Sequence, residues 1–241
     1  MLKEIQINQL SKKYSKKSPF SLKRVHFCIK AGTTHGILGS NGAGKTTLIK
    51  TICDVIEPSI GEVLFLNKKN EVLPKKNVKS IIGYVPQDFA FYEDLTIWNN
   101  FLFFGTMYNL DKKSILNRYE ELLPFLRLEQ HADKKIKHFS GGMKRKVNLA
   151  LGLLHNPEVI ILDEPTVGID IKSKTEILQH LINLNKEGKT ILYTSHQMEE
   201  AQEFCSHVSL FNNGSLICTG TTQQVLKDNQ MNDLESLLLT I

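Results

Sequence analysis

The chain has 241 residues, enough for one large domain with a substantial core or for two small ones. Its hydrophobic content of 41% and charged content of 23% are ordinary for a globular protein, and no apolar run approaches the roughly 20 residues of a membrane-spanning helix. The chain is therefore not expected to cross a bilayer by itself. The net charge of +5 is modest, and paired lysines such as Lys12-Lys13 indicate solvated loop charge or, as the lesser alternative, attraction to anionic lipid.

The cysteines and the first residues bear on the cellular compartment. The cysteine spacings form neither a C-x-x-C pair nor a cluster with histidine, which argues against zinc and against a disulfide framework. We expect all four to be reduced core residues: Cys28, Cys53, Cys205 and Cys218. The N-terminus lacks the long apolar core of a secretory signal, so a cytoplasmic location is expected.

Alternating apolar and polar residues at 2–10, and a second apolar segment at 25–29, predict two strands and a β-rich start. Between them stands Tyr14, flanked by lysines. It is either a surface tyrosine packed on a strand edge or a stacking platform for a nucleobase, and the residues alone leave both alternatives open.

A glycine-rich loop follows a short apolar strand at 34–38 and precedes a helix predicted from 46 to 55. It fits the phosphate-binding pattern G-x-x-x-x-G-K-[S/T] at every fixed position, in the strand–loop–helix context that the pattern requires. Backbone N–H groups and the positive end of the helix bind phosphate oxygens in such loops, Lys45 reaches the outer phosphates, and the Thr46 hydroxyl suits magnesium. The residues of this loop are Gly39, Ser40, Asn41, Gly42, Ala43, Gly44, Lys45, Thr46 and Thr47.

Strands predicted at 61–66 and 81–87 precede a change of pattern. From about 95 to 156 the apolar spacing becomes helical, and Leu122–Leu126 is expected to break one helix and start another. This predicts a helical insert within an α/β core. An aromatic-rich segment at its beginning is either an interaction surface or the packing core of the helical lobe, and both stay open: Phe89, Phe91, Tyr92 and Trp98.

Ser140, Gly141 and Gly142 stand at the start of a further predicted helix. Ser140 can cap that helix, and the bare glycine amides together with the helix dipole form a second anion-binding end.

An apolar strand at 159–162 ends in two carboxylates, Asp163 and Glu164. Ligands collect at the carboxyl ends of parallel strands, so both acids should lie beside the phosphate-binding loop. Asp163 suits magnesium and Glu164 suits a general base for an attacking water.

The remaining predicted elements are a helix at 171–186, a strand at 190–194, a hairpin around Asn212-Asn213-Gly214 and two short helices at 221–229 and 234–239. His196 follows the strand at 190–194, where a structural histidine is commoner than a catalytic one.

At this point the chain resembles the ATP-binding subunits of ABC transporters, over nearly its whole length. The phosphate-binding loop resembles their Walker A motif, the strand at 159–164 resembles Walker B, and Phe139–Met143 resembles the signature L-S-G-G-Q. Gln87 resembles the Q-loop glutamine, 167–170 the D-loop, and His196 the switch histidine.

The resemblance implies an α/β fold: a P-loop NTPase core with a parallel sheet, an N-terminal antiparallel β portion and an inserted helical subdomain. It implies a single ATPase domain over 1–241, with the core at 1–87 and 157–241 and the helical subdomain at about 88–156.

The resemblance also implies roles for individual residues. ATP and Mg²⁺ are the expected cofactors, with Tyr14 stacking on adenine and with catalysis by Glu164, His196 and Gln87. Magnesium is expected at Thr46, Gln87 and Asp163. The expected partner is a second ATP-binding subunit in a homodimer, in which the signature of one subunit closes over the ATP held by the other. The resemblance accordingly adds four residues to the nucleotide-binding set: Ser140, Gly141, Gly142 and Asp170.

A separate membrane permease is the other implied partner, with the chain peripheral on the inner face of the cell membrane. Met143 and Phe139 depart from the signature, and the D-loop reads Val-Gly-Ile-Asp; these variants resemble the subgroup that serves drug-resistance, bacteriocin-immunity and lipid or polysaccharide exporters. The alternative is an ABC ATPase acting on the ribosome or nucleic acid. Such proteins usually carry tandem ATPase domains or a coiled-coil insert, so no nucleic acid partner is expected here.

Overall fold

The computed structural model describes residues 1–240 of the chain as two β-sheets flanked by helices. The strands are β1 Leu2–Lys12, β2 Leu22–Lys30, β3 Thr34–Gly39, β4 Ile60–Asn67, β5 Ile82–Val85, β6 Val159–Asp163, β7 Thr190–Ser195, β8 His207–Asn212 and β9 Ser215–Thr221. The α-helices are α1 Lys45–Ile52, α2 Lys75–Ile81, α3 Ile97–Met107, α4 Lys112–Phe125, α5 Gly141–Leu153, α6 Ile171–Lys186, α7 Met198–Phe204, α8 Thr222–Asp228 and α9 Leu234–Leu239.

The first sheet is antiparallel, with strand order β2-β1-β4. Strands β1 and β2 largely alternate between buried apolar and more exposed polar residues, because one face of the sheet packs on the core and the other meets water. The predicted N-terminal antiparallel portion is thus confirmed, and β4 is its third strand.

The second sheet has the order β5-β6-β7-β3-β8-β9, parallel except for β9, which forms the predicted hairpin with β8. Strands β3, β6 and β7 are buried along their whole length, since both faces of this sheet are covered. Their carboxyl ends lie at one edge, which places the residues that follow β3, β5, β6 and β7 together.

Side-chain alternation divides the core into two clusters on either side of the second sheet. Ile160 and Leu162 pack in the cluster on the helical side, whereas Ile161 packs with Ile5 and Ile7 of the first sheet. All five side chains are fully buried, and each such burial contributes about 1.5–3 kcal/mol. The carboxyl ends of the parallel strands are therefore held rigidly by packing on both faces of the sheet.

Helices α3, α4 and α5 lie between β5 and β6 in the chain and form the inserted helical region. Their starts are capped by side-chain oxygens of Thr96, Asp111 and Ser140, each accepting a backbone N–H three residues on. Gly105 lets α3 approach α4 closely, because a Cβ there would stand 2.5 Å from the Ile115 side chain.

Three local expectations are wrong. Leu122–Leu126 does not start a new α-helix: α4 runs through Pro124 to Phe125, since a proline in the last turn removes only one hydrogen bond, and two 3₁₀ turns at Glu129–His131 and Ile136–His138 follow. Helix α1 ends at Ile52 and not at 55. Cys28 is exposed on β2 instead of lying in the core, because the alternation of that strand points it away from the apolar face.

Helix α2 carries no sequence signal of the kind used above, since Val78 is its one buried residue and the apolar period is absent. Among residues 1–240, none of the helices is both long and apolar enough to cross a bilayer.

Candidate functional site

An open cleft of about 630 Å³ lies at the carboxyl edge of the second sheet. Loops that follow four of its strands converge here, as expected for an open parallel sheet. The cleft is lined by Pro19, Phe20, Ser21, Asn41, Gly42, Ala43, Gly44, Lys45, Thr46, Thr47, Gln87, Glu164, Val167 and His196. The structure thus brings the predicted phosphate-binding loop, one carboxylate, the glutamine and the histidine into one cavity.

The glycine-rich loop has the backbone shape that its glycines predict. Gly44 adopts φ of +101°, and a Cβ there would stand 2.5 Å from the carbonyl oxygen of Ser21. As the N-cap of α1, Gly44 has no side chain to accept the first N–H groups of the helix, so these donors and the helix dipole face the cleft. The loop therefore fits an anionic ligand such as a phosphate chain.

Lys45 is buried at the floor of this loop. Its Nζ donates to the carbonyl oxygens of Gly39 at 2.9 Å and Ser40 at 3.2 Å, and it lies 3.6 Å from Oε1 of Glu164. Burial lowers the pKa of Lys45, while the charge of Glu164 opposes that shift. A cation held in this position is available to anionic oxygens entering the cleft.

Asp163, at the end of β6, faces the hydroxyl of Thr46 across the cleft floor, with Thr46 Oγ1 3.5 Å from Asp163 Oδ1. Hydroxyl and carboxylate oxygens are the ligands that Mg²⁺ prefers. Within residues 1–240, no group of three or more His, Cys, Asp or Glu side chains is arranged to hold a metal ion. This donor set fits magnesium held jointly by the protein and by substrate phosphates, and does not fit an all-protein cage.

Glu164 follows Asp163 in a strained conformation. Its φ is +49°, a left-handed value that a residue with a Cβ adopts at a cost, and its side chain is almost fully buried. The strain is held by three contacts: the backbone N–H donates to Thr194 Oγ1 at 2.9 Å, Oε2 lies 2.8 Å from His196 Nδ1, and Oε1 pairs with Lys45.

Thr194 is a site residue that the sequence analysis missed. It is fully buried near the end of β7, and its hydroxyl donates to Asp163 Oδ1 at 2.7 Å while accepting the N–H of Glu164. One hydroxyl therefore orients both acids. The sequence signal was a threonine two residues before His196, and the register Asp163↔Thr194, which places it beside both acids, is seen only in the structure.

Gln87 lies just after β5 and lines the cleft. Its carbonyl oxygen accepts from Arg145 Nη1 at 2.7 Å, and the carbonyl of Pro86 accepts from Asn148 Nδ2 at 2.9 Å. Both donors belong to α5, so the glutamine segment is anchored to the helix that begins at Ser140.

Tyr14 lies beside the loop with 60% of its surface exposed, and its hydroxyl is 3.1 Å from Thr47 Oγ1. The Lys12 ammonium stands 5.7 Å above the ring. An exposed ring next to a phosphate-binding loop suits base stacking. Phe20 lines the cleft itself and was not singled out in the sequence, because its own neighbours carry no motif.

Ser140, Gly141, Gly142 and Asp170 form a second group, outside the lining of the cleft in the described part of the chain. Ser140 Oγ accepts the N–H of Met143 at 3.2 Å, and Asp170 Oδ1 accepts that of Ser173 at 2.9 Å. Gly142 packs against Ser173, where a Cβ would stand 2.1 Å from Oγ. The starts of α5 and α6 are thus packed together, with Ser140 and Gly141 exposed.

Comparison with known proteins places this arrangement in a family. The family profile described as ABC transporter matches residues 22–167. The linearmycin resistance ATP-binding protein LnrL of Bacillus subtilis is 39% identical over 219 residues, covering 90% of this chain and 69% of LnrL. A Nod factor export ATP-binding protein I of Burkholderia lata is 35% identical over 203 residues, covering 83% of this chain and 66% of that protein.

Solved structures agree in fold. The structure of an ATP-binding subunit of an ABC transporter superposes with a TM-score of 0.85 at 27% identity, covering 98% of both chains. The dimeric ATP-binding cassette MJ0796, bound to ADP and Pi in a post-hydrolysis state, gives a TM-score of 0.78 at 28% identity, covering 90% of this chain and 98% of that one. The chain therefore belongs to the ABC transporter family, as an ATP-binding subunit with the fold of the ABC ATPase cassettes.

Proposed function

We propose that this chain binds Mg-ATP in the cleft, pairs with a second ATP-binding subunit about two nucleotides, and couples hydrolysis to export through a separate membrane permease. The observation that carries the proposal is the chain of contacts from Lys45 through Glu164 to His196, placed directly beside the phosphate-binding loop.

Binding rests on the loop and its surroundings. The N–H groups at the start of α1 and the Lys45 ammonium face the triphosphate, and Tyr14 offers its exposed ring to the adenine. Thr46 and Asp163, with Gln87 at the cleft wall, would hold magnesium, which supplies neutralisation of phosphate charge.

For the hydrolysis step, we assign Glu164 as the general base. A water oxygen attacks the γ-phosphorus, the bond from that phosphorus to the bridging oxygen breaks, ADP leaves, and Glu164 takes the proton of the water. Because a carboxylate only accepts hydrogen bonds, the Nδ1 of His196 is the donor at 2.8 Å, which leaves its Nε2 for the substrate side. His196 thus orients the base.

Dimerisation is supported by the exposed second anion-binding helix end. Ser140 and Gly141 are exposed at the start of α5, away from the cleft of their own chain. Because this helix end lies away from the phosphate-binding loop of its own chain, it suits the phosphates of a nucleotide bound to a second subunit. The similar cassette MJ0796 is dimeric.

A permease contact is supported by exposed apolar side chains that we call the aromatic surface: Phe89, Tyr92, Phe103 and Met107. The rings of Tyr92 and Phe103 meet edge to face at 4.9 Å. Phe91 and Trp98 pack against the core, which supports the packing alternative for these two, whereas the exposure of Phe89 and Tyr92 supports the interaction alternative. An exposed patch of this kind marks an interaction site.

Export through the permease, with the chain on the inner membrane face, is favoured by the resistance and export functions named for LnrL and the Nod factor protein. We expect the cargo to fall in the classes of the subgroup that the sequence resembles: a drug, a bacteriocin, a lipid or a polysaccharide.

A dimer trap tests this proposal. Glu164→Gln keeps the shape of the side chain but removes the base, so turnover should fall by about 10²–10⁴-fold. With Mg-ATP this variant should sediment as a dimer, and the added substitution Ser140→Arg should return it to a monomer that still binds ATP. Unchanged turnover in Glu164→Gln, or a monomer at saturating ATP, contradicts the proposal.

A further inference from the structure

A buried carboxylate lies behind the cleft, outside the cluster described above. Glu200 is on α7, four residues after His196, and its side chain is only 2% exposed. Oε1 accepts from the Thr166 hydroxyl at 2.8 Å, and Oε2 lies 2.5 Å from the Lys174 ammonium. Leaving a carboxylate here without partners would cost several kcal/mol, so the hydrogen bond from Thr166 and the ion pair with Lys174 offset the cost of its burial.

The hydrogens of this group can be assigned. Thr166 has one hydroxyl hydrogen, and since the carboxylate only accepts, that hydrogen goes to Glu200. The Tyr193 hydroxyl, 3.1 Å from Thr166 Oγ1, must then donate to Thr166. Tyr193 is fully buried in β7, so Thr166 is fixed from the strand as well as from the helix.

Lys174 connects Glu200 to the segment that contains His196. Besides its ion pair with Glu200, Lys174 donates a hydrogen bond from Nζ to Oε1 of Gln197 at 3.0 Å. Gln197 is the neighbour of His196, and its N–H donates to Ser195 Oγ at 2.9 Å. The backbone beside the histidine is thereby tied to the same buried carboxylate.

We propose that Glu200 and Thr166 are positioning residues that hold Glu164 and His196 in their 2.8 Å contact. Thr166 lies two residues beyond Glu164, whose backbone is in the left-handed region, and Gln197 lies one residue beyond His196. Both ends of the catalytic contact are therefore tethered to one carboxylate. This inference rests on the proposed function of the cleft.

The geometry favours positioning over a purely structural role. Well-packed apolar residues can often replace a buried ion pair without loss of stability, so stability alone does not require this group. The group also joins the segment after β6, which carries Glu164, to α7, which begins at Met198, two residues after His196.

The test uses Thr166→Val, which keeps the shape and removes the hydroxyl. Because small displacements of catalytic groups cost up to about 10²-fold, kcat should fall roughly tenfold or more, with the Kd for ATP within about twofold. Thr166→Ser restores the hydroxyl and should recover most of kcat. Thr34→Val is the matched control. Thr34 is also buried and hydrogen-bonded, to Ser206, but it lies at the start of β3, whereas the cleft lies at the end of that strand.

A second measurement does not depend on turnover. The side-chain ¹⁵N resonances of His196, assigned by their loss in His196→Gln, should shift in Thr166→Val and in Glu200→Gln but not in Thr34→Val. Unmoved resonances, or a kcat that falls equally in Thr166→Val and Thr34→Val, overturn the positioning role. Absence of ATPase activity in the unaltered chain would refute the proposed function instead, and the resonances would still decide this inference.

Discussion

Nδ1 of His196 lies 2.8 Å from Oε2 of Glu164, although 32 residues separate them in the chain. The contact exists because β6 and β7 are parallel neighbours with Asp163 opposite Thr194, so the residues after each strand meet at the sheet edge. Two residues of ordinary type thereby form the contact to which we assign catalysis.

Replacing His196 with Ala should lower kcat at least tenfold while ATP affinity changes little, because the base loses its orienting donor and the loop is untouched. A steady-state assay with a separate nucleotide titration measures both. The exposed histidine on β2 supplies the control, His26→Ala, which should retain full activity. Loss of affinity without loss of kcat would reassign His196 to binding.

Lys45→Ala should weaken ATP binding by about tenfold to a hundredfold, the effect of losing one charge-assisted contact of 1.5–3 kcal/mol. Calorimetric titration of purified protein provides the measurement. Lys50→Ala removes a cation from the same helix without touching the cleft, so its affinity should match that of the unaltered chain. Equal affinities for the two variants would remove Lys45 from the phosphate site.

Thr194→Val keeps the volume of the side chain but deprives Asp163 of a donor and the Glu164 N–H of its acceptor. Stability should fall by about 1–3 kcal/mol, and turnover should fall at least tenfold. Thr190→Val, at the other end of β7, also removes an acceptor from a backbone N–H, that of Gly32, and should cost similar stability with normal turnover. A matching loss of turnover in both variants would show that strand stability, and not orientation of the acids, controls activity.

Tyr92→Ser combined with Phe103→Ser should leave ATP hydrolysis by the purified chain intact and abolish co-purification of its permease. The reason is that both side chains are exposed on the aromatic surface and neither lines the cleft. Ile60→Ser, an exposed apolar position on the first sheet, serves as the comparison. Retention of the permease by the double variant would place the contact elsewhere.

His35 should make the fold sensitive to mild acid. Burial, with a smaller contribution from the charge of His207, lowers the pKa of His35 to about 3, and the imidazole is held by Ser209 at 2.8 Å. Between about pH 6.5 and pH 3 the unfolded chain binds a proton here that the folded chain does not, so stability falls as pH falls. From pH 7 to pH 5 the loss is about 2 kcal/mol, at about 1.4 kcal/mol per pH unit below pH 6.

Urea denaturation at both pH values measures this loss. His35→Gln can retain the bond to Ser209 and should lose about 2 kcal/mol less stability between pH 7 and 5 than the unaltered chain. His26→Gln, on the exposed face of β2, should show the same pH dependence as the unaltered chain. Identical pH dependence in all three proteins would mean that His35 does not govern acid stability.

The sequence by itself determined the order and type of most elements, because their signals are local. The glycine spacing before Lys45, the apolar run ending in Asp163, and the Asn213-Gly214 turn each need only a few neighbours to define them. The same local rules failed at Pro124, where the position of a proline within the helix decides its effect, and at α2, which has no apolar period.

Only the tertiary structure decided which of these residues act together. The left-handed backbone of Glu164, the hydroxyl of Thr194 shared by two acids, and the carboxylate of Glu200 behind the cleft arise from the pairing of β6 with β7 and the packing of α7. Residues more than 30 positions apart are brought together by sheet register and burial, and neither the register nor the burial can be predicted from the spacing within a motif.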